Sequence, residues 1–234
     1  RLVDTAGRRG GRVADHNSVS LALLQAMANR QPLNPNQQIL VRDMATSGRR
    51  LQLAIAPAGT GKTTAMCTLA IAWTNSGGNV LGLAPAAAAA EQLRSQLGTG
   101  AVADNLAKLV WAISHHEPLA DRVGPGTLVI IDEAGMADTP TLDLVTSHVA
   151  SLGGSVRLVG DDHQLTAVAA GGILADIATT HGALRLDEVL RFDDPGEAAA
   201  TLALRRGDPN AIGFYADNNR LHPADAATIG SQVL

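Results

Sequence analysis

Beyond residue 50 the chain alternates short, nearly continuous apolar runs with longer segments whose apolar positions recur at helical spacing. The runs at 51–56, 79–84, 127–132, 155–159 and 183–187 predict strands. Strands buried on both faces of a parallel sheet carry few polar residues, as in Thr127-Leu128-Val129-Ile130-Ile131. Between them, 62–75, 86–97, 104–114, 139–150 and 171–179 predict helices. Residues 86–90 are five alanines, the strongest helix formers, and read as helix. Strand and helix in alternation predict an α/β fold, a doubly wound, mainly parallel sheet flanked by helices.

The flanks are less regular. Residues 1–32 combine the basic, glycine-rich stretch Arg8-Arg9-Gly10-Gly11-Arg12 with a helical pattern at Leu21, Leu24, Met27 and Ala28, which predicts a linker followed by a helix. Asn34 followed by Pro35 reads as an N-cap with proline at the first helical position. After Phe192 another helix is expected at 197–206, and Gly207-Asp208-Pro209 breaks the pattern. The expected organisation is a basic linker and helix over 1–32, the α/β domain over 33–192, and over 193–234 a connecting helix and the start of a truncated second domain.

Composition narrows the class. Of 234 residues 46% are hydrophobic and only 2% aromatic, so the core must be built from Ala, Leu, Val and Ile. Cys67 is the one cysteine, which excludes an internal disulfide and fits a reducing cytoplasm. No run approaches the length of a membrane span and the first residues lack the pattern of a signal segment, so neither a span nor secretion is expected. A net charge of −4 does not advertise a nucleic-acid binder, yet leaves room for a local basic groove. The chain begins with Arg, as expected for a piece of a longer protein.

The chemistry concentrates in Ala58-Gly59-Thr60-Gly61-Lys62-Thr63-Thr64, between a predicted strand and a predicted helix. Pro57 opens this loop where the strict phosphate-loop pattern has Gly, but the glycine turn and the Gly-Lys-Thr core are intact. Gly59 and Gly61 allow backbone N–H groups to turn inward around phosphate oxygens. The following helix adds roughly half a positive charge at its N-terminus. Lys62 is one of only two lysines, the other being Lys108, so the chain keeps an ammonium where a compact point charge suits the β and γ phosphates. The Thr63 hydroxyl suits Mg²⁺, a hard ion that takes oxygen ligands.

Asp132 follows the run 127–131 at a strand end, where an acid holds Mg²⁺, and Glu133 beside it suits the general base that orients an attacking water. A third strand ends in Gly160-Asp161-Asp162-His163-Gln164-Leu165. Gln164 there can both donate to a γ phosphate and accept from water, as a sensor of hydrolysis requires. Trp111 is a candidate for stacking on a base, whereas Trp73 reads as core. His115-His116-Glu117 lacks metal-ligand spacing and reads as a solvated turn.

The ordered set A-G-T-G-K-T-T, I-I-D-E-A-G-M, V-G-D-D-H-Q-L and L-D-E-V-L-R-F resembles the first, RecA-like motor domain of superfamily 1 DNA helicases. It is most similar to the RecD-like branch that includes the helicase part of TraI/TrwC-type conjugative relaxases. The resemblance spans about residues 33–222 and implies a P-loop NTPase that uses ATP and Mg²⁺ and acts on single-stranded DNA. It implies that Gln37 reads the adenine edge, that Ala58 through Thr64 cradle phosphate, and that Thr63 and Asp132 hold the metal. Lys62, Glu133, Gln164 and Arg191 are the implied catalytic set, with Arg191 stabilising charge on the transferring phosphate. Pro85 and Ala86 match the segment that holds the DNA backbone, although the family's Thr or Ser is here Ala86. The implied partners are a second RecA-like domain in the same parent chain and conjugation proteins. A fragment without that second domain is not expected to unwind DNA alone.

Three other readings compete with a conjugative helicase. A RecD-like repair helicase has the same motifs. A phosphotransferase uses the same loop but transfers phosphate to an organic acceptor. A non-catalytic helicase remnant serves as a scaffold, and the intact Lys62, Thr63, Asp132, Glu133, Gln164 and Arg191 argue against it.

Overall fold

A computed structural model of the chain describes residues 1–97, 102–161, 172–186, 188, 194–205 and 207–221. Its elements are α1 (Leu2–Gly7), α2 (His16–Ala28), α3 (Pro35–Thr46), β1 (Leu51–Ile55), α4 (Lys62–Asn75), β2 (Asn79–Ala84), α5 (Ala87–Leu97) and β3 (Val102–Asn105). There follow α6 (Leu106–His115), β4 (Thr127–Ile131), α7 (Thr139–Ser151), β5 (Ser155–Gly160), α8 (Ile173–His181), β6 (Leu184–Arg185), α9 (Pro195–Arg205) and α10 (Ala211–Asp217). They divide into two compact units, Arg1–Asp187 and Glu188–Leu234. In the second, α9 and α10 pack on each other, with an Arg220–Glu197 ion pair and a 2.8 Å hydrogen bond between Thr201 and Tyr215.

The first unit is built on one six-stranded sheet of order β3-β2-β4-β5-β1-β6, in which every pairing is parallel. Strand alternation sorts the core into two layers. Ala54, Leu128, Ile130 and Val159 face a layer with residues of α2, α3, α4 and α5. Leu51, Leu53, Ile55, Val129, Ile131, Val156 and Leu158 face the layer of α1, α6, α7 and α8. The predicted doubly wound sheet is therefore present, with helices on both faces. Among the described residues no helix is long and apolar enough to cross a membrane.

Three local expectations change. Residues 102–105, read partly as the start of a helix, form the edge strand β3, and helix α6 begins only at Leu106. The Asn105 side chain accepts from the Ala107 N–H at 2.7 Å and so caps the helix where the strand ends. The stretch before residue 12 is not a free linker. Leu2, Thr5 and Ala6 are buried as α1 packs against α7 and α8, Arg50 N–H donates to Arg8 O at 3.0 Å, and Gly11 N–H donates to Gly48 O at 2.9 Å. Helix α2 also turns its larger apolar side chains outward, with Leu24 59% and Met27 61% exposed. Its inner face is Ser18, Val19, Ala22 and Ala26, and these small side chains permit close approach to α4.

Helix α4 is fastened at its far end by Trp73, fully buried as expected, whose indole N–H donates to Gly126 O at 2.9 Å. Gly78 lies against that ring. A Cβ there would meet the indole edge and stand 2.9 Å from the Gly126 carbonyl oxygen, itself backbone. Gly78→Ala is therefore expected to destabilise the chain by about 1–3 kcal/mol. An unchanged denaturant midpoint would contradict it. Cys67, half-buried on α4, has its thiol pKa raised by burial and behaves as a small apolar side chain.

Candidate functional site

The parallel sheet delivers its strand ends to one edge. Ile55 of β1 pairs with Gly160 of β5, and Ile131 of β4 pairs with Leu158, so β1, β5 and β4 finish side by side. Ala56 N–H donates to Gly160 O at 2.8 Å, and Asp132 N–H donates to Leu83 O at 2.9 Å, which carries the ladder just past the strands. Ligands of open α/β sheets occupy the crevice at these strand ends.

The glycine loop leaves β1 at this edge. Gly59 (φ +83°) and Gly61 (φ +71°) adopt the left-handed conformation that glycine takes without a Cβ clash. Thr60, fully buried, braces the turn by donating its hydroxyl to Pro57 O at 2.8 Å. Pro57 thus fills the usual glycine position, and its carbonyl still closes the loop. Gly61 is the N-cap of α4 and offers no side chain, so the first-turn N–H groups of this fourteen-residue helix have no side-chain cap. Such an end suits an anion.

Lys62 and Asp132 meet across the crevice, Nζ to Oδ1 at 2.6 Å, although one follows β1 and the other β4. The same Oδ1 accepts the Glu133 N–H at 2.8 Å. Glu133 itself has φ +52°, an uncommon conformation for a residue with a side chain, and begins the turn Ala134–Met136. Strain of this kind, of order 1–3 kcal/mol, concentrates at functional sites. The Thr63 hydroxyl and the Asp132 carboxylate are oxygen ligands of the kind magnesium takes, and the uncapped N–H groups of the helix start suit a polyphosphate.

Gln37 is 2% exposed and bonded through both Oε1 and Nε2, which leaves the oxygen one further acceptor site. Its Oε1 accepts the Asn34 N–H at 2.8 Å, and its backbone N–H donates to Asn34 Oδ1 at 2.8 Å, which completes a capping box at the start of α3. Its Nε2 donates to Thr60 O at 3.0 Å and Gly61 O at 3.2 Å. The residue expected to face a base therefore touches the phosphate loop directly. Gln164 and Arg191 lie outside the described residues.

At the neighbouring strand ends, Pro85 and Ala86 precede α5, and Asn105 Nδ2 donates to Pro85 O at 3.1 Å. Asn105 therefore ties the exit of β2 to the exit of β3. Burial alone would raise the Asp104 carboxyl pKa, but Lys108 at 2.7 Å and the Asn105 N–H outweigh it and hold it below the ordinary range. Trp111 on α6 is 52% exposed and stacks on His115 at 4.3 Å, and His116 ends the helix in the left-handed conformation.

One polar residue of this layer has no counterpart in the sequence reading. Arg157, in the middle of β5, is fully buried. Its Nε and Nη2 donate to Met44 O at 3.0 and 2.7 Å, and its Nη1 donates to Arg49 O at 3.1 Å and Val156 O at 2.9 Å. Burial pulls its pKa down to about 9, with Asp43 acting in the other direction, so it stays a cation at neutral pH. The one available signal was a charged residue inside an otherwise apolar strand, Ser155-Val156-Arg157-Leu158-Val159.

The family model described as AAA domain matches residues 32–226. The chain is 29% identical over 206 residues to a probable conjugal transfer protein TraA of Sinorhizobium fredii, covering 88% of this chain and 18% of that protein. It is 29% identical over 204 residues to the conjugal transfer protein TraA of Rhizobium radiobacter, covering 87% and 18%. To TraA of Agrobacterium fabrum it is 28% identical over 224 residues, covering 94% and 20%. The chain thus spans about a fifth of the length of the curated relatives it matches. Among solved structures, the Pif1 helicase from Candida albicans superposes with a TM-score of 0.58 at 21% identity, covering 82% of this chain and 48% of that one. That likeness is one of fold, and the fold is the RecA-like P-loop arrangement.

Proposed function

Because the chain belongs to the AAA domain family, we propose that it is the ATP-binding and hydrolysing domain of a helicase or translocase that acts on single-stranded DNA. The parent we propose is a conjugative relaxase-helicase, a reading supported by the TraA relatives. The observation that carries the proposal is the meeting of Lys62 and Asp132 at 2.6 Å beside the glycine loop, with Glu133 next in the chain. A shared phosphate and metal site brings an ammonium from one strand end and a carboxylate from another together in this way.

In this reading, Ala58 to Thr64 hold the phosphates through backbone N–H groups and Lys62 exchanges Asp132 for the β and γ oxygens. Thr63 and Asp132 would hold Mg²⁺, which would supply charge neutralisation at those oxygens. Glu133 accepts the proton of the attacking water and orients it toward the γ phosphorus. Gln37 serves the base, Gln164 couples hydrolysis to movement and Arg191 stabilises charge on the phosphate in flight. Pro85, Ala86 and the exposed Trp111 serve the DNA strand. A second RecA-like domain of the parent completes the motor, conjugation proteins are further partners, and the cytoplasm is the compartment.

The test is a titration of this chain with ATP and Mg²⁺, followed by product analysis on the full-length parent with single-stranded DNA. Saturable binding is expected, with Lys62→Ala weakening it by about 10- to 100-fold, the value of hydrogen bonds to charged groups. Inorganic phosphate is the expected product. Equal binding by Lys62→Ala would overturn the reading of the loop, and a phosphorylated organic acceptor would replace the motor with a phosphotransferase.

A further inference from the structure

Helix α3 is held at both ends. At its start the Gln37 amide donates to Thr60 O and Gly61 O in the phosphate loop. At its finish the Arg157 guanidinium grips Met44 O with two N–H groups, and through Nη1 it also reaches Arg49 O in the turn that enters β1. Gln52, paired with Arg157 in the sheet register, holds the same turn, accepting the Ser47 hydroxyl at 2.9 Å. The twelve residues of α3 span about 18 Å, so a rigid rod connects β5 to the loop.

An arginine is a costly way to fill a sheet core. Among the described residues no carboxylate bonds to it, and an apolar side chain of similar volume packs such a position at no desolvation penalty. Its planar fork does one thing that such a side chain does not. It takes up carbonyls at a helix C-terminus, where a cation is favoured by the helix dipole, and fixes their position relative to the strand. The strand it occupies runs on through Gly160, the partner of Ile55 just before the phosphate loop.

We propose that Arg157 is a positioning residue for nucleotide selection. It seats α3 on β5 so that Gln37 stays in register with Thr60 and Gly61, and it acts on the base through Gln37 and not on the phosphates. The inference rests on the reading of Gln37 as the base-facing residue.

The experiment titrates the whole chain with ATP and, separately, with inorganic tripolyphosphate, both with Mg²⁺, in the parent sequence, Gln37→Ala, Arg157→Lys and the double variant. Lysine keeps the charge but not the fork. Arg157→Lys is expected to weaken ATP binding about tenfold while tripolyphosphate stays within about twofold, and the double variant should bind ATP no worse than Gln37→Ala alone. Equal loss for both ligands would reduce Arg157 to fold support and overturn the proposal. So would unchanged ATP binding, or additive losses in the double variant. If Gln37→Ala itself leaves the ratio of the two affinities unchanged, the base reading fails and takes this inference with it. Should Arg157→Lys not fold, Ser47→Ala loosens the same turn. An ATP-specific loss there supports the proposal, and an equal or absent loss overturns it.

Discussion

In Glu133→Gln, DNA-stimulated phosphate release by the full-length parent is expected to fall by about 10²- to 10⁴-fold, the range of a positioned general base. ATP affinity should meanwhile stay within about twofold. The two outcomes separate because the backbone N–H of Glu133 bonds to Asp132, whereas its side chain does not take part in the Lys62–Asp132 contact. Glutamine keeps the shape, the φ +52° turn and that N–H bond, and loses only the capacity to take a proton. The measurement is a steady-state phosphate assay beside a nucleotide titration. Release within about threefold of the parent would place the base elsewhere, and a matching loss of affinity would mean that Glu133 holds the nucleotide itself.

Trp73→Ala carries the largest expected effect on stability. The side chain is fully buried at the end of α4, and the truncation removes both its volume and the donor to Gly126 O. Large-to-small changes at buried aromatics remove about 3–5 kcal/mol. A domain of this size has about 5–15 kcal/mol in total, so the melting midpoint should fall by roughly 10 °C. Trp73→Phe keeps most of the volume and isolates the lost hydrogen bond, about 1–3 kcal/mol. A midpoint for Trp73→Ala within about 2 °C of the parent would show that this end of α4 is not anchored as described.

The sheet was legible in the sequence where its strands are continuous apolar runs, because burial on both faces leaves no other composition. The run 127–131 is the plainest case, and β1, β2 and β5 begin where expected. The edge strand β3 escaped because its four residues include Asp104 and Asn105, whose polar side chains serve as ion-pair partner and helix cap. Helix α1 has six residues and no side-chain cap, so its signal lies in the burial of Leu2, Thr5 and Ala6 against α7 and α8, a tertiary fact. The outward turn of α2 was hidden for the opposite reason, since small residues on its inner face make a weak apolar pattern and a tight contact. At the site, the glycines, Lys62, Asp132 and Glu133 could be read from spacing. That Lys62 and Asp132 would touch, that Gln37 would bond to the loop, and that Arg157 would sit wholly inside depend on side-chain geometry, which no linear pattern encodes.

Every strand of the sheet points the same way, so its two rims answer to different constraints. On the rim with the glycine loop, Asp132 and Pro85, connections can lengthen or change chemistry without entering the packed layers. On the opposite rim, the Trp73 indole wedges between Gly78 and the Gly126 carbonyl, and at Gly78 no side chain has room. Variation in this domain should therefore be lopsided, with novelty accumulating on the reactive rim while the other acts as its keel.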